Sequence, residues 1–457
     1  MTADTTTASA LDGPIDGGRH IRYWLRCFRT LLPHHYTSND SIRLTLGFFI
    51  ISALDMLSPS SDKPLITPEE RQKLQDWVLN LQHPYGGFCG SPHHAFPREF
   101  THGWDPDAKV NVARDASNPN MAATGFALLC LGVLADDDGS SAFAGVNRAR
   151  TLSWLKKLQR DDGSFGDVLT DDGKVSGGRD MRHCYVATII RWALGASKSD
   201  ADKSLDIDVD ALVQHIRRAQ TFDGGMAESS THESHSGYAF CAVAALAMLD
   251  LANTDSSAAP DHYIRAGIPS IPSLIHFLVN RQFAYLDPPE GDEDVDDDYG
   301  SANHTLPDLS SLSLSEADHF TGFNGRPNKV PDTCYTWWVS GALSILGEAD
   351  VVDRICARRF ILQKTQHRIG GFGKHPGSPP DIYHGYMGLA ALGTIAGEDG
   401  EAGLKKFDPR LCVSTETAAK LTKAQEGLLA DEEGEDLAEW IGSYLRSDGH
   451  GAKIPSE

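Results

Sequence analysis

The chain is 457 residues long, 40% of its residues are apolar, and its formal net charge at pH 7 is -22. This length allows a large core, and so negative a charge argues against nucleic acid as a partner. No apolar run reaches the roughly 18–20 residues that a membrane span needs. The eight cysteines are scattered singly without a CxxC pair, which is typical of reduced thiols in a cytosolic protein.

The chain opens with a polar arm and two helical stretches. Residues 1–18 are small and polar and lack the apolar stretch of a signal peptide, so we expect a disordered arm. The apolar spacing of residues 20–32 predicts a helix. Residues 41–57 are apolar on nearly every side, which predicts a helix buried all round.

A unit then recurs: an amphipathic helix ending in Leu-Gln or similar, a glycine-rich turn with an aromatic residue, and a helix rich in Ala and Leu. Glycine permits the positive φ of the turn, and we expect the aromatic ring to fill the space between neighbouring helices. The turns are at 81–90, 158–167, 219–228, 321–329 and 369–377. The buried helices are predicted at 41–57, 121–134, 184–194, 238–249, 336–346 and 386–392.

Six such helix pairs predict an all-α fold, an α/α toroid or six-hairpin α-α barrel, whose inner wall is made by the buried helices. The first turns of the inner helices then lie at one rim. We place this domain at 19–420. Within it, 286–316 is rich in Pro, Asp and Ser and is expected to be an acidic disordered insertion. Residues 421–457 are expected to form a tail with one helix at 428–445.

A metal site is predicted from three residues in two hairpins. Asp332 and Cys334 open one apolar run, and His384 enters another. Taken singly, a helix cap, a buried thiol and an ordinary histidine are the commoner roles. Together they are three ligands for Zn²⁺ that leave a fourth position open, as in catalytic sites. We predict that zinc binds an incoming thiol here and holds it as the thiolate.

Several cations and a tyrosine occupy turns and first-turn positions near the predicted zinc. Solvated surface charge is the ordinary role of Lys and Arg, but in so acidic a chain the set suggests a cradle for an anion. Cations and helix N-termini would neutralise phosphate oxygens, and the tyrosine would donate to a leaving oxygen. The set is Arg182, His235, Arg326, Lys329, Tyr335 and Lys374.

The side chains of the predicted inner wall have two interpretations. Aromatic residues on buried helices are usually core. If the axis of the toroid is not filled, they line a cavity for a long apolar ligand. They are Thr45, Phe48, Phe49, Tyr238, Phe240, Trp337 and Trp338.

The acidic run also contains Asp294-Val295-Asp296-Asp297, which matches the DxDD acid of terpene cyclases built on the same toroid. Because the match lies in a low-complexity run, a solvated acidic segment is the commoner explanation. A cyclase and a catalytically silent toroidal binding module remain alternatives at this point.

Four stretches, together with the glycine-rich turns, resemble the β subunits of protein prenyltransferases. They are RPNKVPDTCYTWW (326–338), ESHSGYAFC (233–241), DMRHCY (180–185) and DIYHGY (381–386). The resemblance runs from about residue 20 to residue 419. It implies the α/α toroid and zinc on Asp332, Cys334 and His384. It also implies a diphosphate held by His235, Arg326, Lys329 and Tyr335, with a lysine from a separate helical α subunit.

Within this family the chain is similar to geranylgeranyltransferase type I. Thr45 is small where farnesyl enzymes have a tryptophan that shortens the lipid tunnel, so a twenty-carbon chain should fit. Lys374 stands where farnesyl enzymes carry an aspartate that recruits Mg²⁺, and its ammonium group would neutralise the diphosphate instead. Residues 19–36 resemble the start of the same enzymes. Because Lys374 replaces the aspartate that recruits Mg²⁺, we expect that Mg²⁺ is not required.

The resemblance implies a cytoplasmic heterodimer with a prenyltransferase α subunit. Its donor would be geranylgeranyl diphosphate, and its acceptors CaaX proteins such as Rho-type small GTPases, joined to the lipid through a thioether. A farnesyltransferase β subunit is the nearest alternative.

Some positions in the implied isoprenoid and peptide pocket depart from the pattern. Asn120 and His183 stand where animal type I enzymes have a histidine and a phenylalanine, and Tyr383 is the farnesyl-type residue. The preferred last residue of the protein substrate is therefore left open. The implied pocket residues are Thr45, Phe48, Phe49, Asn120, Arg182, His183, Tyr238, Cys241, Trp338 and Tyr383.

Overall fold

The structure is a computed structural model that describes residues 13–58, 64–92, 102–104, 111–113, 118–170, 173–196, 198, 203–253, 255, 257–286 and 320–432. Its helices are α1 (Gly17–Arg29), α2 (Arg43–Met56), α3 (Pro68–Leu79), α4 (Met121–Val133), α5 (Arg148–Lys157), α6 (Met181–Ala193), α7 (Val209–Arg218), α8 (Ser236–Ala252), α9 (His262–Gly267), α10 (Ile271–Val279), α11 (Thr333–Ile345), α12 (Arg354–Arg359), α13 (Ile382–Ile395) and α14 (Thr415–Glu432).

In the described part of the chain, four antiparallel two-stranded sheets accompany the helices. They pair β1 (His102–Trp104) with β2 (Asn111–Ala113), β3 (Val168–Leu169) with β4 (Val175–Ser176), β5 (Gln282–Ala284) with β6 (Thr321–Phe323), and β7 (Phe407–Asp408) with β8 (Val413–Ser414).

Six helices form a closed inner ring in which each contacts the next, in the order α2, α4, α6, α8, α11, α13 and back to α2. Outer helices pack on this ring, for example α1 on α2, α3 on α4 and α10 on α11. The predicted α/α toroid is confirmed. All six inner helices were found from their apolar runs, but four of them begin two to four residues earlier than predicted, because their first turns carry polar residues.

Those polar starts have a structural cause. Five inner helices begin with a side chain that accepts a hydrogen bond from a backbone N–H of the first turn, which satisfies a donor that the helix itself leaves unpaired. Since the inner helices run in the same direction, their caps meet at one rim of the ring, which we call the mouth. The capping residues are Asn120, Asp180, His235, Asp332 and Asp381.

Glutamines that follow the outer helices join one unit to the next. Gln159 donates to the carbonyl of Asp208 over 2.8 Å and accepts from the N–H of Asp208 over 2.7 Å. Asp208 is itself the cap of the outer helix α7. The same pair of bonds recurs at Gln220 with Ser270. The glutamines thus fix the spacing of the outer layer.

The turns that follow these glutamines are tight. Gly163 has a φ of 86°, and a Cβ there would lie 2.0 Å from the carbonyl oxygen of Ala211 in the next outer helix. In the turn 219–228, Phe222 is fully exposed and Met226 takes the buried position, so the prediction that an aromatic ring fills the space is wrong there. The phenylalanines of the other four turns have no exposed surface, and there the predicted filling of the space between helices is confirmed. These residues are Phe88, Phe165, Phe323 and Phe372.

The end of the ring opposite the mouth is closed by β7, β8 and α14. The Tyr185 and Tyr386 hydroxyls, from inside the ring, donate to the carbonyls of Arg410 and Cys412, both over 2.6 Å. Helix α14 packs on α4 and α6. It overlaps the start of the tail helix predicted at 428–445, and the rest of that helix lies outside the described residues.

Two other predicted segments fall largely outside the described part of the chain. Of the predicted arm 1–18, residues 13–18 are described: Ile15 is buried, Asp16 caps α1, and α1 begins two residues inside the predicted arm. The insertion 286–316 lies between β5 and β6, which pair Gln282 with Phe323 as Gln82 pairs with Phe88 in the first unit. The insertion therefore enlarges one of the repeated turns. Among the described helices, none is long and apolar enough to cross a membrane.

Candidate metal centre and anion cradle

The three predicted metal ligands converge at the mouth. Ligand atoms of Asp332, Cys334 and His384 all lie within 4.8 Å of one another, although fifty residues of sequence separate the first and the last. The His384 Nε2 atom is 3.3 Å from Asp332 Oδ1. Asp332 and Cys334 are buried, and the His384 side chain is 12% exposed. Three donors at this spacing can share a single ion.

Asp332 acts both as a helix cap and as a member of this cluster. Its Oδ1 accepts the N–H of Cys334 over 2.8 Å, which fixes the carboxylate at the start of α11. The next residue, Thr333, donates from its N–H to the Lys374 carbonyl over 2.9 Å and from its hydroxyl to Gly373 over 2.6 Å. These bonds tie the hairpin of Asp332 to the one that leads to His384.

Sequence reasoning assigned no role to Asp381. Its Oδ1 accepts the N–H of His384 over 2.8 Å, and its Oδ2 lies 2.6 Å from His384 Nδ1. This contact places the proton on Nδ1 and turns Nε2 toward Asp332 and Cys334, as carboxylates commonly do for histidines that bind metals. The signal was present, since an aspartate three residues before the predicted ligand stands at the cap position of α13.

The donor set fits a divalent cation. Burial raises the pKa of Cys334 well above its usual range, and the Asp332 carboxylate raises it further. Burial opposes protonation of His384, but hydrogen bonds to Asp332 and Asp381 raise its pKa to about 9. The carboxylates of Asp332 and Asp381 thus attract positive charge to this cluster, which a metal ion would supply in place of the proton on His384 Nε2. Cysteine, histidine and aspartate with one open position suit zinc.

Next to the cluster, His235 and Tyr335 form a second polar pair. The His235 Nε2 atom lies 3.1 Å from the Tyr335 hydroxyl, and His235 Nδ1 accepts the N–H of Gly237. Burial lowers the pKa of His235 to about 4, helped by the charges of Arg326 and Arg182. With Nδ1 accepting, the neutral imidazole donates from Nε2 to Tyr335, so the tyrosine proton is free to donate elsewhere.

The predicted cations differ in how they are held. Arg326 is paired with Glu233 over 2.6 Å. Arg182 makes a bidentate bond to its own cap residue Asp180, and its side chain is 65% exposed. Lys329 and Lys374 are half-buried and form no ion pair with any residue in the described ranges. Two unneutralised ammonium groups in a chain of net charge -22 favour an anionic ligand at the mouth.

The burial pattern of the inner helices indicates a partly exposed apolar surface inside the mouth, which we call the cup. On the inner helices, half-exposed apolar and aromatic side chains concentrate in the first six residues, and the residues that follow are almost all buried. The floor is made of packed rings, among them Phe48 and Tyr386, whose centroids are 5.8 Å apart. The half-exposed residues of the wall are Thr45, Phe126, Val186, Tyr238, Trp338 and Tyr383.

Members of the implied pocket set occupy different places around this cup. Trp338 donates from its indole N–H to the Tyr383 hydroxyl over 3.1 Å, which fixes both residues in the wall. Phe48 and Cys241 are fully buried and Phe49 is 7% exposed, so these three support the wall from behind. Asn120 caps α4, and His183 Nδ1 lies 3.4 Å from the Phe165 carbonyl.

The fold is thus an α/α toroid whose mouth carries three possible metal ligands and two lysines that form no ion pair within the described ranges. The family model described as "Prenyltransferase alpha-alpha toroid domain" matches residues 15–413. The chain therefore belongs to the prenyltransferase α/α toroid family, as its sequence motifs indicated.

Similar proteins carry related names. The chain is 29% identical over 411 residues to the geranylgeranyl transferase type-1 subunit beta of Arabidopsis thaliana, covering 86% of this chain and 87% of that one. It is 26% identical to the protein of the same name from Dictyostelium discoideum, over 79% and 86% of the two chains. The solved Candida albicans protein geranylgeranyltransferase-I complexed with GGPP is similar with a TM-score of 0.65 and 25% identity, covering 90% of this chain and 100% of that chain. These homologues are protein prenyltransferases, which are enzymes.

Proposed function

We propose that this chain is the β subunit of a type I protein geranylgeranyltransferase, which transfers geranylgeranyl from its diphosphate to the cysteine of a C-terminal CaaX sequence. The observation that carries the proposal is the convergence of Asp332, Cys334 and His384 within 4.8 Å at the mouth of an apolar cup. The named relatives and the donor in the solved Candida albicans enzyme support the choice of isoprenoid.

Zinc is the proposed metal, and Asp332, Cys334 and His384 would hold it. When bound, zinc lowers the pKa of a thiol ligand so that the substrate cysteine is present as the nucleophilic thiolate at neutral pH. Asp381 keeps the Nε2 atom of His384 free to bind the ion, by holding Nδ1. Because Asp332 and Cys334 are buried and His384 is largely so, an ion held by these residues would be shielded from water and could bind the substrate sulfur.

The diphosphate would lie over the polar side of the mouth. Lys329 and Lys374 carry the free positive charges, and Arg326 would exchange Glu233 for phosphate oxygens. Tyr335, whose hydroxyl is oriented by His235, donates its proton to the bridging oxygen as negative charge develops on the leaving diphosphate. With this much positive charge supplied by the chain, Mg²⁺ is not required.

The isoprenoid would fill the cup. Its wall offers aromatic faces to the apolar chain, and Thr45 leaves room where a larger residue would shorten the space. Arg182, Tyr238, His183 and Asn120 would face the isoprenoid and the bound peptide. Thr45→Trp should therefore shift preference from the twenty-carbon to the fifteen-carbon donor by about tenfold or more, measured as the ratio of the two kcat/KM values.

The partners follow from this assignment. We propose a cytoplasmic heterodimer with a helical prenyltransferase α subunit that supplies a further lysine to the diphosphate. The protein substrates would be CaaX proteins such as Rho-type small GTPases, and their lipid would be joined through a thioether.

The decisive experiment is co-purification with the α subunit, followed by zinc quantification and turnover of a CaaX peptide with geranylgeranyl and farnesyl diphosphates, each with and without Mg²⁺. One zinc per heterodimer and Mg²⁺-independent use of the longer donor are expected. Strict use of farnesyl diphosphate with Mg²⁺ dependence would make the chain a farnesyltransferase subunit, an alternative that Tyr383 favours. If the heterodimer contains no stoichiometric zinc, the chain would instead be a catalytically silent binding module. The match to the cyclase acid at 294–297 lies outside the described residues, and deletion of the 286–316 insertion should leave activity intact.

A further inference from the structure

The loop that carries two of the proposed diphosphate ligands is closed by a single buried side chain. Asn324 is 6% exposed, and its Nδ2 atom donates to the carbonyl oxygen of Lys329 over 2.8 Å. This bond joins the first and last residues of the loop 324–329, which also contains Arg326. The loop therefore has a fixed shape before any ligand arrives.

Both sides of the loop are anchored to neighbouring elements. The Asn324 N–H donates to the Arg281 carbonyl over 3.1 Å, and Ser236 N–H, at the start of α8, donates to the Gly325 carbonyl over 2.8 Å. After the loop, Asp332 N–H donates to the Phe323 carbonyl over 3.0 Å. The loop is thus connected to the metal hairpin and to the helix that begins after His235.

The loop also packs directly on the His235–Tyr335 pair. A Cβ on Gly325 would lie 2.5 Å from Tyr335 Cζ and 2.6 Å from His235 Nε2, so only glycine permits this approach. Asn328 adopts a φ of 62°, a left-handed conformation that asparagine tolerates better than most residues. The loop therefore packs as one unit with the rings of His235 and Tyr335, and a shift of Lys329 would disturb that packing.

Asn324 is an unusual choice for so buried a position. Its Oδ1 atom is buried and has no hydrogen-bond partner in the described part of the chain, which costs free energy that an apolar residue would not incur. The side chain is therefore poorly explained by stability alone. The bond from Nδ2 to Lys329 is its one polar contact through the side chain that the structure shows.

We propose that Asn324 is a positioning residue for diphosphate binding: its amide holds the Lys329 carbonyl so that the Lys329 ammonium faces the same anion as Tyr335. It acts through Lys329 and does not itself touch the substrate. The proposal rests on the proposed function, because it assumes that the mouth binds the diphosphate of an isoprenoid donor.

The test uses the zinc-loaded heterodimer and two probes, geranylgeranyl diphosphate and inorganic diphosphate, which reports on the head group alone. In Asn324→Leu, the dissociation constants of both probes should rise about tenfold, the loss expected for one positioned hydrogen bond. The KM for the CaaX peptide should not change. Asn280→Leu is the matched control, because Asn280 is exposed at the end of α10 and donates to the His276 carbonyl away from the loop.

A double-mutant cycle shows whether Asn324 acts through Lys329. Lys329→Ala should weaken diphosphate binding by itself, and adding Asn324→Leu should weaken it no further. If the two effects multiply, or if Asn324→Leu is folded and binds both probes normally, the proposal is wrong. Should Asn324→Leu fail to fold, Asn324→Ser, whose side chain is too short to reach Lys329, replaces it with the same expectation.

The binding and transfer assays also distinguish a failure of this proposal from a failure of the proposed function. A wild-type heterodimer that binds inorganic diphosphate but transfers no geranylgeranyl would contradict the proposed function, while the effect of Asn324 on diphosphate binding could still be measured. A wild-type enzyme with full transferase activity and an Asn324→Leu variant with unchanged diphosphate binding would contradict only the positioning role.

Discussion

The two ends of the toroid differ in how far their polar side chains find partners within the fold. At the closed end, Asp55 binds Lys405 over 2.8 Å, the Ser414 hydroxyl over 2.6 Å and the Thr417 hydroxyl over 3.1 Å. At the mouth, Lys329 and Lys374 form no ion pair within the described ranges, and Asp332, Cys334 and His384 have the spacing of a metal site. Groups that hold a fold together are satisfied within it, whereas groups left unsatisfied indicate a ligand.

Substitutions at the two ends should have different effects. At the mouth, we expect loss of chemistry with little loss of stability. At the closed end, we expect loss of stability with unchanged chemistry per folded molecule.

The largest effect is expected at the metal cluster. Cys334→Ala removes a proposed zinc ligand, so the heterodimer should lose stoichiometric zinc and its transferase activity should fall on the order of 10³-fold. Metal analysis and single-turnover kinetics would measure both changes. Cys130→Ala is the matched control, because Cys130 is a fully buried thiol of α4 away from the cluster. Normal zinc content in Cys334→Ala would contradict the assignment.

At the closed end, Asp55→Ala should lower the free energy of unfolding by about 2–3 kcal/mol. The substitution leaves a largely buried ammonium and two hydroxyls without their shared acceptor. Lys405 keeps its ion pair with Glu416 at 2.7 Å, which limits the loss. Denaturant unfolding measures the change, and kcat per folded molecule should stay at the wild-type value. A specific loss of kcat would show that the two ends are coupled.

Asp381 tests whether the cap of α13 is also part of the metal site. Asparagine still caps a helix, so Asp381→Asn should fold normally. It removes the negative charge opposite His384 Nδ1, and zinc affinity should fall about 10–100-fold. Competition with a chelator measures the affinity. Unchanged zinc affinity together with unchanged activity would limit Asp381 to capping.

How far the sequence predicts this molecule depends on the kind of residue. The apolar runs of the inner helices and the glycine-rich turns were enough for the ring, because burial on all sides leaves a repeated pattern. Asp332, Cys334 and His384 could be proposed because each opens an inner helix, and the ring brings those positions together. The roles of Asp381 and Asn324 were not predicted, because in the sequence Asp381 resembles an ordinary helix cap and Asn324 resembles a turn residue. Their partners become visible only when the chain is folded.

The smallest effect concerns His235 and pH. Burial lowers its pKa in the folded chain from 6.5 to about 4, so between these values the unfolded chain binds the additional proton. Stability contributed by the neutral imidazole is therefore present above pH 6.5 and is lost as the pH falls toward 4. His235→Asn, which keeps a capping residue, should reduce this acid loss by on the order of 1 kcal/mol at pH 5, since His235 is partly exposed. Unfolding curves at pH 7 and pH 5 for both proteins measure the difference, and parallel losses in the two would show that His235 is protonated in the folded mouth.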